Sequence, residues 1–148
     1  MFLNYIFFNS NILERLKSCL ETLKMANNTN LKYFKLSEFD SPDEPGSGSK
    51  MDKKFLEKLD YARHNADVPF KINSGYRTKE WNAHIGGRVG SSHIKGLAAD
   101  IHCNGSRDRA LIIKSLLEVG ITRIGIGRTF IHCDVDKKKD QDVFWLYN

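Results

Sequence analysis

Ser91-Ser92-His93-Ile94-Lys95-Gly96-Leu97-Ala98-Ala99-Asp100 runs out of a polar, glycine-containing turn into an apolar stretch that continues through Ile101-His102-Cys103. Residues 97–103 read as a buried strand. A second stretch, Phe130-Ile131-His132-Cys133-Asp134, reads as another. Successive side chains of a strand point to opposite faces, so His132 and Asp134 share one face while Ile131 and Cys133 turn toward the core. By the same parity Asp100 and His102 lie together, opposite Cys103. Two strands carrying D-x-H and H-x-D thus bring four polar side chains to one spot. Burying such a group is costly without a metal or mutual hydrogen bonds. Parity also reads Cys103 and Cys133 as small buried hydrophobes rather than ligands.

His93 stands seven residues before Asp100, with Gly96 and small side chains between them. Small residues let the backbone fold closely, so a loop histidine and a strand aspartate can converge on one ion. Zinc accepts imidazole nitrogen and carboxylate oxygen, and a catalytic zinc site uses three protein ligands plus an open position. The third ligand is expected on an adjacent strand, and the face carrying His132 and Asp134 offers one.

Outward from these strands, Ser49 or Lys50 leads into a helix over 51–65 with Phe55, Leu56, Leu59 and Ala62 on its inner face. Val68, Phe70 and Ile72 alternate as a strand ending at Ser74-Gly75. Thr78 caps a short helix that stops at Gly86-Gly87. A helix over 107–119 places Ala110, Ile113 and Leu117 inward and ends at Gly120. Residues 121–126, 129–135 and 143–147 are strand-like. Helices and strands mix without regular βαβ alternation, which predicts an α+β fold with an antiparallel sheet. Residues 40–50, with two prolines and two glycines, read as an exposed loop. Before it, Leu13, Leu16, Leu20 and Leu23 mark an amphipathic helix over 10–26. The division expected is a helical extension, 1–31, and a domain, 32–148.

The 148 residues carry a formal charge of +5, and 41% of them are hydrophobic. That composition builds a core and excludes general disorder. The densest basic run, Lys137-Lys138-Lys139, is surrounded by Asp134, Asp136, Asp140 and Asp142, so no nucleic-acid binding is expected. No stretch reaches the length of a membrane span. Three cysteines without a C-x-x-C pair argue against a disulfide framework. The apolar start, Met1 to Phe8, lacks a basic flank and a small-residue cleavage site, so no secretory signal is expected. Met25 is an alternative start.

Ser91 to Asp100 matches the S-x-H-x-x-G-x-A-x-D signature of the zinc D-alanyl-D-alanine carboxypeptidase family of wall peptidases. Ser74-Gly75-Tyr76-Arg77-Thr78 resembles that family's S-G-Y/F-R-T segment. Phe130 to Asp134 resembles the F-I/V-H-x-D element of a branch with small phage and bacterial members. Tyr33-Phe34-Lys35-Leu36-Ser37-Glu38-Phe39-Asp40-Ser41-Pro42 is similar to that branch's opening. The resemblance implies the hedgehog- and lysostaphin-like fold, a small antiparallel sheet flanked by helices, with a zinc site at the sheet. It implies one zinc per chain held by His93, Asp100 and His132. Arg77 is then the arginine that meets substrate carbonyl or carboxylate groups, and Ser91 the serine near substrate. The implied substrate is a peptidoglycan stem peptide, cut by a monomeric D-Ala-D-Ala carboxypeptidase or cross-link endopeptidase acting on the cell wall, as a phage lysin does.

Many relatives place an acidic general base three residues before the last histidine ligand. Here that position is Thr129. Asp134, aimed at the metal by parity, is the substitute, with His102 as a second possibility. As the alternative to a base, Asp134 orients His132. Two rival readings stand beside the peptidase. One is a zinc-binding interaction module without turnover; the other is a structural phage component assembled through the 10–26 helix.

Overall fold

The computed structural model describes residues 31–147. The amphipathic pattern over 10–26 lies outside the described residues. Five strands form one sheet: β1 (Ile72–Ser74), β2 (Ala98–His102), β3 (Arg123–Ile126), β4 (Phe130–Asp134) and β5 (Val143–Leu146). Their order is β1-β2-β4-β3-β5. Three helices accompany them: α1 (Lys53–Ala66), α2 (Lys79–His84) and α3 (Ser106–Glu118). The α+β architecture expected from the sequence is therefore the one observed.

The sheet is antiparallel except at one edge, where β5 runs parallel to β3. After β4, residues 135–142 pass over the end of β3 and return the chain on its far side. Because β5 runs opposite to β4, a short connection suffices.

Alternation divides the sheet into two chemistries. Ile101, Ile124, Ile131 and Cys133 are fully buried on one face and join Phe55, Leu59, Ile112 and Leu116 of α1 and α3 in a single core. The other face carries Asp100, His132 and Asp134. α1 starts two residues later than the pattern suggested, capped by Asp52, whose carboxylate accepts the Phe55 N–H at 2.8 Å. Its inward residues are those expected. α2 is capped as expected by Thr78, whose hydroxyl oxygen accepts the Trp81 N–H.

Two sequence expectations are corrected. Residues 68–71 are not in a strand; only Ile72–Ser74 pair with β2, although Phe70 is buried in the core. On α3 the buried side chains are Ile112, Ser115 and Leu116, with Ala110 and Leu117 exposed and Ile113 half-buried. The run Ala110-Leu111-Ile112-Ile113 is apolar nearly all round the helix, so spacing alone does not select the face.

Gly96 is required where it stands. Its φ is +68°, and an added Cβ would fall inside contact distance of the Lys50 carbonyl oxygen. Its own carbonyl accepts the Asp52 N–H at 2.9 Å, joining the 91–96 turn to the start of α1. Gly96→Ala is expected to destabilise the zinc-free protein by at least about 2 kcal/mol, from left-handed strain plus the collision. Thermal unfolding checks this as a midpoint lowered by roughly 8 °C or more.

Candidate metal centre

The metal-facing side is organised as a row. Ser74, Asp100, His132, Gly125 and Trp145 are successive cross-strand partners from β1 to β5. Asp100 and His132 are direct neighbours on paired strands. His93 arrives from outside the sheet, on the 91–96 turn, whose backbone is closed by Ile94 N–H to Ser91 O and Gly96 N–H to His93 O. The turn is tied to the exit of β4 by Asp136, which is buried. Ser92 Oγ donates to Asp136 at 3.1 Å, and the Lys95 ammonium lies 2.6 Å from the same oxygen.

Three atoms converge. His93 Nε2 lies 3.3 Å from both His132 Nδ1 and Asp100 Oδ1, and His132 Nδ1 lies 2.8 Å from Asp100 Oδ1. Ligands about 2.0–2.1 Å from a tetrahedral ion stand roughly 3.3 Å apart; both His93 separations have that spacing, while the His132–Asp100 pair, at 2.8 Å, is at hydrogen-bond distance. The hydrogen-bond partners on the far sides make the argument chemical. His93 Nδ1 is 2.7 Å from the Gly75 carbonyl oxygen, which can only accept, so Nδ1 carries the proton and Nε2 is a bare lone pair. His132 has a carboxylate on each side, with Asp134 Oδ2 3.1 Å from Nε2 and Asp100 Oδ1 2.8 Å from Nδ1; with the proton on Nε2, the Nδ1 lone pair is the one left for a metal. In that tautomer two imidazole lone pairs and a carboxylate oxygen face one another, and either a proton on Nδ1 or a cation reconciles them. The donor set suits zinc. Among the described residues, His93, Asp100 and His132 are the group able to hold a metal ion.

The electrostatics agree. Burial opposes the charge on Asp100, but hydrogen bonds from His132 and His93 outweigh it and hold the carboxyl well below the ordinary carboxylate range. Burial likewise opposes a charged His132, while its bonds to Asp100 and Asp134 favour the protonated ring when no metal is bound. Proton and metal therefore compete for the same nitrogen.

Asp134 lies elsewhere than parity suggested. It shares the His132 face but sits behind the ring, 1% exposed. Besides His132, it takes the Arg123 Nε–H at 2.9 Å and the Asp136 N–H at 3.0 Å on Oδ1. Burial works against its charge, yet His132, the Asp136 N–H and Arg123 hold its carboxyl below the usual range. Both oxygens are committed away from the bare nitrogens. This is the carboxylate–histidine arrangement that fixes a ligand's tautomer. His102 is half-buried two residues after Asp100 on the same strand face, paired with Phe130.

Arg77 donates from Nη2 to Asp100 Oδ2 and from Nε to Ser74 Oγ, each at 2.8 Å. It thereby occupies the Asp100 oxygen that does not face the histidines. It also lines a cleft of about 350 Å³ together with Asp100, Trp81, Ile85, Phe130 and Glu38. Ser91 Oγ accepts the His93 N–H at 3.3 Å, stiffening the ligand turn.

Several residues of the site carry no sequence signal noted above. Asp136 extends the H-x-D period by two and could have been found that way. Arg123 and Trp145 could not, because they reach the site only through the register of β3 and β5. Cys133 is fully buried on the core face, where burial pushes its thiol well above the ordinary value.

The family described as Peptidase M15 matches the chain over residues 32–134. No curated protein matches the chain. The matched span contains Arg77, Ser91 and all three candidate ligands. No helix among the described residues is long and apolar enough to cross a membrane.

Proposed function

The chain belongs to the Peptidase M15 family of zinc-dependent peptidases that act on peptidoglycan, and we propose that it cuts a D-amino-acid-containing stem peptide. The reaction is of the D-alanyl-D-alanine carboxypeptidase or cross-link endopeptidase type, in phage lysis or wall remodelling. One observation carries the reading: ligand atoms of His93, Asp100 and His132 converge, and Asp100 also lines a cleft with Arg77.

His93, Asp100 and His132 would hold the zinc. When bound, it supplies Lewis acidity toward water and toward a carbonyl. Arg77, with Nε and Nη2 engaged, keeps Nη1 to grip a substrate carbonyl or terminal carboxylate, which suits a permanently charged fork. Ser91 shapes the turn at the substrate side. Asp134 keeps His132 in one tautomer. That leaves His102 to take the proton from water and return it to the leaving amine.

Mass spectrometry of purified peptidoglycan fragments incubated with zinc-loaded protein tests the reading. Loss of a terminal alanine marks a carboxypeptidase; division of a dimeric fragment marks an endopeptidase. Unchanged fragments with full zinc would favour a binding module. His102→Gln is expected to keep zinc and to slow hydrolysis about a hundredfold, the scale of a lost general base. A near-normal rate would move that role to Glu38, which lines the cleft and has one carboxylate oxygen on the Lys35 N–H.

A further inference from the structure

We propose that Trp145 is a positioning residue for the metal centre: its indole, laid across Gly125, braces the His132 ring so that Nδ1 faces the metal. The inference rests on reading His93, Asp100 and His132 as the zinc site. It brings into that site the strand β5, which lies beyond the residues 32–134 matched by the family.

The geometry begins with a missing side chain. His132, Gly125 and Trp145 are consecutive in the row across β4, β3 and β5, so their side chains leave the sheet on one face. Between a histidine and a tryptophan two strands apart there would normally stand a third side chain. At Gly125 there is none. A Cβ added there would lie 2.7 Å from Trp145 Cε2 and Nε1, and 2.5 Å from Tyr147 Cε2. The two aromatic rings therefore occupy the space that any other residue would take.

Through that gap Trp145 reaches His132, with ring centroids 5.5 Å apart and planes at 53°. Tyr147 stands beside the indole, its ring centroid 6.1 Å from that of Trp145 and 6.2 Å from that of His132, and packs on Phe130 at 5.0 Å. Trp145 has a second hold on the same ligand. The Arg123 guanidinium lies 5.3 Å from the indole centroid, in the range of a cation–π contact. Arg123 in turn binds Asp134, and Asp134 takes the His132 Nε2 proton. The contacts close into a circuit: Trp145 to His132, His132 to Asp134, Asp134 to Arg123, Arg123 back to Trp145. Asp134 sets the tautomer of the ring; Trp145 limits its tilt and backs the arginine that holds Asp134.

A bracing ring should alter metal affinity, a property of the loaded and unloaded protein that needs no substrate. Zinc affinity is measured by competition with a chromogenic chelator in wild type, Trp145→Ala, Trp145→Phe and Gly125→Ala. Visible spectra of the cobalt forms and thermal unfolding of the zinc-free proteins accompany it. Trp145→Ala is expected to weaken zinc binding about tenfold to hundredfold, the usual effect of losing a ligand's support, and to change the cobalt spectrum. Trp145→Phe, which keeps a ring over Gly125, should recover affinity to within about threefold of wild type. Gly125→Ala should weaken zinc as Trp145→Ala does, since its Cβ displaces both rings from the other side.

Affinity for Trp145→Ala or Gly125→Ala within about threefold of wild type would overturn the proposal. So would equal losses in Trp145→Ala and Trp145→Phe, which would report strand integrity instead. If Trp145→Ala does not fold, Gly125→Ala and Trp145→Phe decide the matter alone. Failure of wild type to bind zinc removes the site reading and this proposal together. Zinc binding that ignores Trp145 removes only the proposal.

Discussion

His93→Ala, purified and dialysed against trace zinc, is expected to retain less than about one-tenth of the wild-type metal, since a three-ligand catalytic site loses one of its donors. Hydrolysis of peptidoglycan fragments should fall to that of a protein-free control. The argument is one of donors. Removal of the imidazole leaves Asp100 and His132 alone, 2.8 Å apart, where a proton on Nδ1 satisfies both. The cation is then no longer needed to reconcile three lone pairs. The fold should survive, because His93 sits on a turn outside the sheet while the core lies on the opposite face. Circular dichroism on the same sample separates lost metal from lost structure. Full zinc occupancy in a folded His93→Ala would show that the ligand assignment is wrong.

Asp134→Asn is the second variant with a large expected effect, and it acts on stability and metal together. The carboxylate accepts from three donors: His132 Nε2, Arg123 Nε and the Asp136 N–H. An asparagine has one oxygen and one NH₂, so at least one of these donors meets another donor. If the NH₂ faces His132, the ring must carry its proton on Nδ1, the nitrogen that zinc requires. If it faces Arg123, a buried guanidinium loses its counter-charge. Removing one partner of a buried ion pair costs about 3–5 kcal/mol. Loss of the histidine's supporting carboxylate lowers metal affinity about tenfold to hundredfold. Chemical denaturation of the zinc-free form and zinc competition measure the two effects separately. Full zinc with a collapsed rate would restore Asp134 as general base. Normal zinc and normal rate would deprive it of any role.

The contrast between Asp134 and the ligands shows what a single sequence makes legible. Strand parity predicted which faces Asp100, His132, Ile131 and Cys133 occupy, because the period of two is local and strict. It put Asp134 on the correct face but not at the correct depth. Depth depends on Arg123, which pairs with it through the register of β3 against β4. Register is a relation between distant segments, and no spacing within either one encodes it. Trp145 was read only as part of a strand for the same reason. α3 failed differently. Its apolar residues nearly encircle the helix, so the buried face was selected by the sheet it packs on and not by the pattern. The turn carrying His93 was legible because its closure is local: a glycine at φ +68°, with Ile94 N–H on Ser91 O and Gly96 N–H on His93 O.

Cys133 stands between His132 and Asp134, and its position bears on which ions the centre will discriminate between. The pleat that turns His132 toward the cleft turns the Cys133 sulfur into the hydrocarbon interior, fully buried. A soft thiolate is thus one residue from the ligand set and unreachable from it. What remains is two nitrogens and one oxygen, a donor set of borderline hardness. Cobalt and nickel can be exchanged into such a set, whereas soft monovalent copper gains no sulfur bond there. Reversing the order of His132 and Cys133 would put sulfur on the metal side, and with it a preference for thiophilic ions.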